Sequence, residues 1–199
     1  SEGAFAIRAG QLDRGDGQRI ARGVVLIEQG KIRSAGGDVT IPEGLAVIDH
    51  PGVVSAGLVV SHSYDGLLGE NHDPTRSVLE NARVVDAFAP GHADFERALA
   101  AGITTLVLAP SPENLVGGRS AVVKTARGVV LNGDAHLVLS MSHMALELNR
   151  YPTSSQGALA ELEARFKDPV IAASADGIGT KVKVQLAAGR LDLCGADIV

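Results

Sequence analysis

Apolar residues in this chain come in short runs, each closed by a glycine, a proline or a charged pair, and that punctuation limits what the backbone can become. The first fifty residues repeat it: Phe5-Ala-Ile-Arg-Ala-Gly10, Gly23-Val-Val-Leu-Ile-Glu-Gln-Gly30, Lys31-Ile-Arg-Ser-Ala-Gly36 and Leu45-Ala-Val-Ile-Asp49. Runs this short make strands, not helices. Gly30-Lys31 reads as a hairpin and Pro42-Glu43-Gly44 as a second turn, so residues 1–52 are expected to form an antiparallel β-sandwich module.

The texture changes after Pro51-Gly52. Gly57-Leu-Val-Val-Ser61 is nearly continuous in its apolar character, as a strand covered on both faces is, and a loop rich in Asp, Asn, Glu and His follows to about Pro90. Over 94–102 a helix is expected, with Phe95, Ala98 and Leu99 on one face and Gly102 as its stop. Thr104-Thr-Leu-Val-Leu-Ala109 then reads as a buried strand ended by Pro110, and a helix entering a strand through one glycine is half of a βαβ crossover. Further strands are expected over 120–124, 128–131 and 136–139. Around 156–166, Leu159, Leu162 and Phe166 give an amphipathic helix capped by Ser154 or Ser155. The expected fold class is α/β: the β module, an incomplete β/α barrel portion over 53–163, and a C-terminal strand–loop–helix segment over 164–199.

Composition narrows the partners. With 45% hydrophobic residues the chain has enough apolar material for a core, yet aromatics make up only 3%, so packing rests on Val, Leu, Ile and Ala. A net charge of −5 leaves no basic field for a phosphate backbone, and no nucleic-acid partner is expected. No stretch approaches the ~20 apolar residues that span a bilayer, and the first residues show no basic region followed by an apolar one, so no membrane partner is expected either. Cys194 is the single cysteine; it excludes an intrachain disulfide and a thiolate-only zinc site, and fits a cytoplasmic location.

Several stretches, in order, carry a family likeness over about residues 4–160. They are Gly23-Val-Val-Leu-Ile-Glu-Gln-Gly-Lys-Ile-Arg33, Val47-Ile-Asp-His-Pro-Gly-Val-Val54, Gly57-Leu-Val-Val-Ser-His62, the helix–strand unit from Phe95 to Pro110, and Asn114-Leu-Val-Gly-Gly118. Together they resemble the amidohydrolases close to imidazolonepropionase, which hydrolyse C–N bonds. In that family the first barrel strand ends in His-x-His, and the two imidazoles hold a divalent metal that lowers the pKa of a bound water. Here the motif reads His62-Ser63-Tyr64. A phenol with a pKa near ~10 replaces imidazole poorly, so the first ligand pair is broken. The resemblance thus implies His62 alone as a metal-facing residue, with zinc as the metal, and it assigns no catalytic residue. His72, Asp73 and His92 are the side chains that would have to substitute; Asp65, Glu70 and Asp86 read as loop charges, turn formers or helix caps.

A second, unrelated pattern begins near residue 164. Asp168-Pro-Val-Ile-Ala-Ala-Ser-Ala-Asp-Gly-Ile-Gly-Thr-Lys181 and the helix-like stretch running on to Asp197-Ile-Val199 resemble phosphoribosylformylglycinamidine cyclo-ligase, an ATP enzyme of purine synthesis. Glycines at 177 and 179 permit close backbone approach at a helix N-terminus, which with Lys181 is a phosphate-cradling arrangement. The resemblance implies a nucleotide or phosphate site on Asp176, Gly177, Gly179, Thr180 and Lys181, with Mg-ATP as cofactor. In the family's later Asp-containing stretch, Asp192 and Asp197 keep their places but Leu191 stands where a histidine belongs.

Neither chemical set is complete in this sequence, so neither zinc nor Mg-ATP is expected to be bound. The expectation is a catalytically incompetent fusion or fragment of two enzymes, self-associating as a homo-oligomer to cover unpaired strand edges. An active remodelled amidohydrolase and an ATP-binding cyclo-ligase fragment stay open as alternatives.

Overall fold

The computed structural model of the protein describes residues 3–146 and 149–166. The chain divides into two compact units, Ser1–Leu58 and Val59–Val199.

The first unit is one five-stranded sheet: β1 (Phe5–Asp13), β2 (Arg19–Ala21), β3 (Val24–Glu28), β4 (Lys31–Gly36) and β5 (Ala46–Ser55). β1 is its centre, pairing antiparallel with β2 and β3 and parallel with β5. The register of β1 on β5 shifts between Ala9 and Gln11. The extra residue is on β5, which advances from His50 to Val53 while β1 advances from Ala9 to Gln11; along β1, Ala6 packs with Val24 and Leu26, whereas Leu12 joins Ala9 and Val25 in a separate cluster. Only glycine fits at position 10, because a Cβ there would lie 2.0 Å from the Pro51 carbonyl oxygen.

An all-antiparallel module is therefore corrected at its last strand. A parallel neighbour requires a crossover rather than a hairpin, and the 37–45 connection supplies it, laying Val39, Ile41 and Leu45 against the Ala6 cluster. The described residues of this unit form a single sheet with apolar clusters rather than two facing sheets. β5 is exposed along nearly its whole length, including Val47, Ile48 and Val53.

The second unit comprises β6 (Leu58–Ser63) from Val59 onward, α1 (Ala93–Ala100), β7 (Ile103–Leu108), β8 (Val116–Arg119), β9 (Ala121–Lys124), β10 (Val129–Asn132), β11 (Leu137–Leu139) and α2 (Ser155–Arg165). One sheet has the order β10-β9-β7-β6, and β11 with β8 makes a separate pair. Phe95 of α1 is buried with Leu106 and Leu108 of β7 and Val123 of β9, which ties the helix to the strand that follows it. Burial at i and i+3 selects Phe95 and Ala98; Leu99 falls outside that stripe and is 45% exposed, contrary to the face expected for it. On α2, Ala158 and Leu162 are buried one turn apart against Leu115 and Val116, and Ser154 Oγ accepts from Gly157 N–H at 3.1 Å as the N-cap.

β6 also departs from expectation. It is the last strand of its sheet, and Leu58 and Val59 are 60% and 65% exposed; of its run only Val60 packs against the Phe95 cluster. The apolar run that reads as a strand covered on both faces is covered on one at most. The three strands expected between 120 and 139 form as β9, β10 and β11, and β8 is a further strand that the sequence reading does not include. It is a strand because β11 pairs with it antiparallel and residues 78–83 run beside it: Arg119 N–H donates to the Ala82 carbonyl at 2.7 Å, and Gly118, at φ +111°, leaves room for that carbonyl. Among the described residues the strands do not close into a barrel, and no helix is long and apolar enough to cross a membrane.

Candidate functional site

The sequence places its one metal-facing candidate at the C-terminal end of β6. There the strand meets the end of β7: Ala109 N–H donates to the Ser63 carbonyl at 3.1 Å. Ser63 is buried, and its Oγ accepts from Asp65 N–H at 3.0 Å, which turns the chain out of the strand. Residues 62 and 64 flank Ser63 and share the opposite face. Their rings meet edge to face, with centroids 5.1 Å apart and planes at 87°.

This geometry suits an aromatic pair, not a metal. Tyr64 offers a neutral phenol where a second imidazole would be needed. The side chains that would have to replace it are committed elsewhere. His72 Nδ1 lies 2.9 Å from Glu113 Oε2 and 3.7 Å from Glu70. Asp73 accepts from both Thr75 Oγ1 at 2.6 Å and Thr75 N–H at 2.8 Å, and these bonds, the side-chain one foremost, hold its carboxyl below the usual range. His92 Nδ1 lies 2.8 Å from Asp94 Oδ2 at the start of α1, and Arg97 pairs with the same carboxylate. Asp86 pairs with Arg83, and Asp65 and Glu70 stay in the loop. No group of three His, Cys, Asp or Glu side chains with metal-site geometry occurs among the described residues. The described residues therefore do not fit a hydrolytic zinc.

Glu113 also accepts from Ser111 Oγ at 2.6 Å, giving a Ser111–Glu113–His72 chain. It has a carboxylate in the middle, whereas a nucleophilic serine needs the imidazole there. Its role is to fix the loop.

The main organiser of this loop was not legible as such. Asn114, fully buried, accepts from Asp73 N–H at 3.1 Å and donates through Nδ2 to the carbonyls of Asp73 and Arg76 at 2.8 and 2.5 Å. Arg150 Nη1 donates to the same two carbonyls at 2.8 and 3.0 Å, and its Nη2 to the Glu113 carbonyl at 2.5 Å. Asn114 opens a stretch that carries only a family likeness in the sequence, with no role assigned to it; no local signal in the sequence singles out Arg150. The proposed phosphate loop, Asp176, Gly177, Gly179, Thr180 and Lys181, lies outside the described residues.

No family model matches the sequence. Over 43 residues, 22% of the chain, it is 46% identical to the phosphoribosylformylglycinamidine cyclo-ligase of Nitrosospira multiformis, and 44% identical over the same length to that of Xanthomonas campestris pv. campestris. These matches span 12% and 13% of the two relatives' lengths. Among solved structures, an amidohydrolase from Thermotoga maritima MSB8 superposes on 80% of this chain and 46% of its own, with a TM-score of 0.70 and 22% identity, a likeness of fold alone. The chain thus resembles an amidohydrolase in the fold of most of its length and a cyclo-ligase in the sequence of a short stretch.

Proposed function

We propose that the chain is a catalytically silent join of two enzyme pieces, the larger an amidohydrolase-like scaffold without working C–N hydrolysis machinery. The observation that carries this reading is the His62–Tyr64 contact: the ring that faces His62 belongs to a phenol, and a water-activating zinc needs three protein ligands. Metal analysis of purified protein tests it. The expected content is well below one zinc, iron, nickel or manganese per chain and the same in His62→Ala; a stoichiometric metal lost on that substitution would overturn the reading.

The 43-residue likeness to cyclo-ligases supports a second reading, a residual Mg-ATP or phosphate site on Asp176, Gly177, Gly179, Thr180 and Lys181. It requires a rise in melting temperature with Mg-ATP that Lys181→Ala abolishes. No such rise would overturn this second reading.

A further inference from the structure

A cleft of about 560 Å³ opens in the second unit, and none of its lining residues comes from β6. Arg76, Arg150 and Arg165 line it, and Glu80 is the one carboxylate among the lining residues. The volume falls within the ~300–1,000 Å³ of small-molecule sites, but the polar walls do not suit an apolar ligand.

The three cations differ in how their charge is met. Arg165 is taken up by Glu161 at 2.6 Å and Glu80 at 3.8 Å. Arg150 spends three N–H groups on backbone carbonyls, has no carboxylate within ion-pair distance among the described residues, and its buried Nε–H has no acceptor there. Arg76 is exposed, and its guanidinium has no hydrogen bond or ion pair among the described residues. Asp73 is the negative group that feels both, and its carboxylate is already held by Thr75. Ser77 lines the same wall and adds a hydroxyl. In a chain of net charge −5, the lining of this concave surface carries three guanidiniums to one carboxylate, with Glu161 and Asp73 the further carboxylates that act on them.

We propose that the cleft binds a small phosphate monoester, with Arg76 making the contact and Arg150 serving as a fixed cationic wall. A guanidinium fork fits two phosphate oxygens, and two cations without carboxylate partners favour a dianion over a monoanion. The carbonyl bonds of Arg150 hold its plane still before any ligand arrives, so little side-chain freedom is lost on binding.

Calorimetric titration of the full chain with inorganic phosphate tests this, with acetate at matched ionic strength as comparator. The expected result is saturable binding in the millimolar range or tighter, at least tenfold weaker in Arg76→Ala and unchanged in His62→Ala and Lys181→Ala. Arg76 carries no packing role, so an unchanged melting temperature certifies that variant. Phosphate affinity indifferent to Arg76→Ala overturns the proposal, as does affinity lost in Lys181→Ala instead, which assigns the anion to the cyclo-ligase-like loop. Acetate binding as tightly as phosphate also overturns it.

Discussion

Asn114 and Arg150 donate to the same two carbonyl oxygens, those of Asp73 and Arg76. One donor comes from the segment after β7 and the other from the turn before α2, so a single pair of acceptors ties three distant stretches of the second unit together. Removing one donor leaves the carbonyls partly satisfied; removing both leaves two partly buried acceptors without either side-chain donor. We expect Asn114→Ala to cost about 1–3 kcal/mol, and Asn114→Ala with Arg150→Ala to cost more than the two single changes together. Urea unfolding of the four-member cycle measures the coupling; strict additivity would refute the shared clamp.

Gly118 and Gly102 make a matched pair of glycine tests. Both have positive φ, +111° and +81°, but a Cβ on Gly118 would lie 2.5 Å from the Ala82 carbonyl oxygen, whereas one on Gly102 meets nothing within 4 Å. Gly102→Ala should cost about 1 kcal/mol from backbone strain alone. Gly118→Ala adds a backbone clash and should be the worse by at least a further ~1 kcal/mol, seen as a lower urea midpoint. Equal costs would mean that residues 78–83 move away from β8 freely.

Thr75 stabilises the charged form of Asp73. The folded carboxyl therefore has a depressed pKa, and the stability it contributes is present above its unfolded value near ~3.9 and lost as pH falls through the folded one. Thr75→Ala should lower the melting temperature at pH 7, and the gap between the two proteins should close as the pH drops below about 4. A gap that persists undiminished at pH 2 would locate the effect of Thr75 elsewhere.

Tyr64→His restores the broken ligand pair on a face where the rings already meet. It should raise cobalt affinity at least tenfold over the parent chain, read from the visible absorption of the bound ion, and Tyr64→Phe should not. If Tyr64→His binds no better, the end of β6 does not hold its two rings in a chelating arrangement.

β5 offers an exposed edge with Val47, Ile48 and Val53 on the surface, and we propose self-association through it. Sedimentation at micromolar concentration should show a concentration-dependent dimer that Ile48→Lys or Val53→Lys reduces to monomer. A parent chain that sediments as a strict monomer would refute this.

What was legible in the sequence was whatever local pattern fixes: Ser154 as a cap, the strands around Val123 and Val138, the helix ending before Gly102, and the mismatch at Tyr64. What was not legible depended on partners far along the chain. β8 contains two consecutive glycines and becomes a strand because β11 pairs with it and residues 78–83 lie against it. β5 runs parallel because an apolar connection crosses over to it, and the exposure of β6 depends on having no further neighbour among the described strands. Arg150 is informative only once three carbonyls from separate loops surround it.

The central place of β1 has a consequence for how the first unit assembles during synthesis. β1 is the earliest of the described strands to be made, yet its parallel partner β5 ends only at Ser55, so one of its long sides stays unpaired until more than forty further residues have followed. Closing that long-range pairing is slower than closing the β3–β4 hairpin. Until then the nascent β1 presents bare backbone next to Ala6 and Ala9, so the rate of translation through the 37–55 segment sets how long the chain is open to pairing with a neighbour.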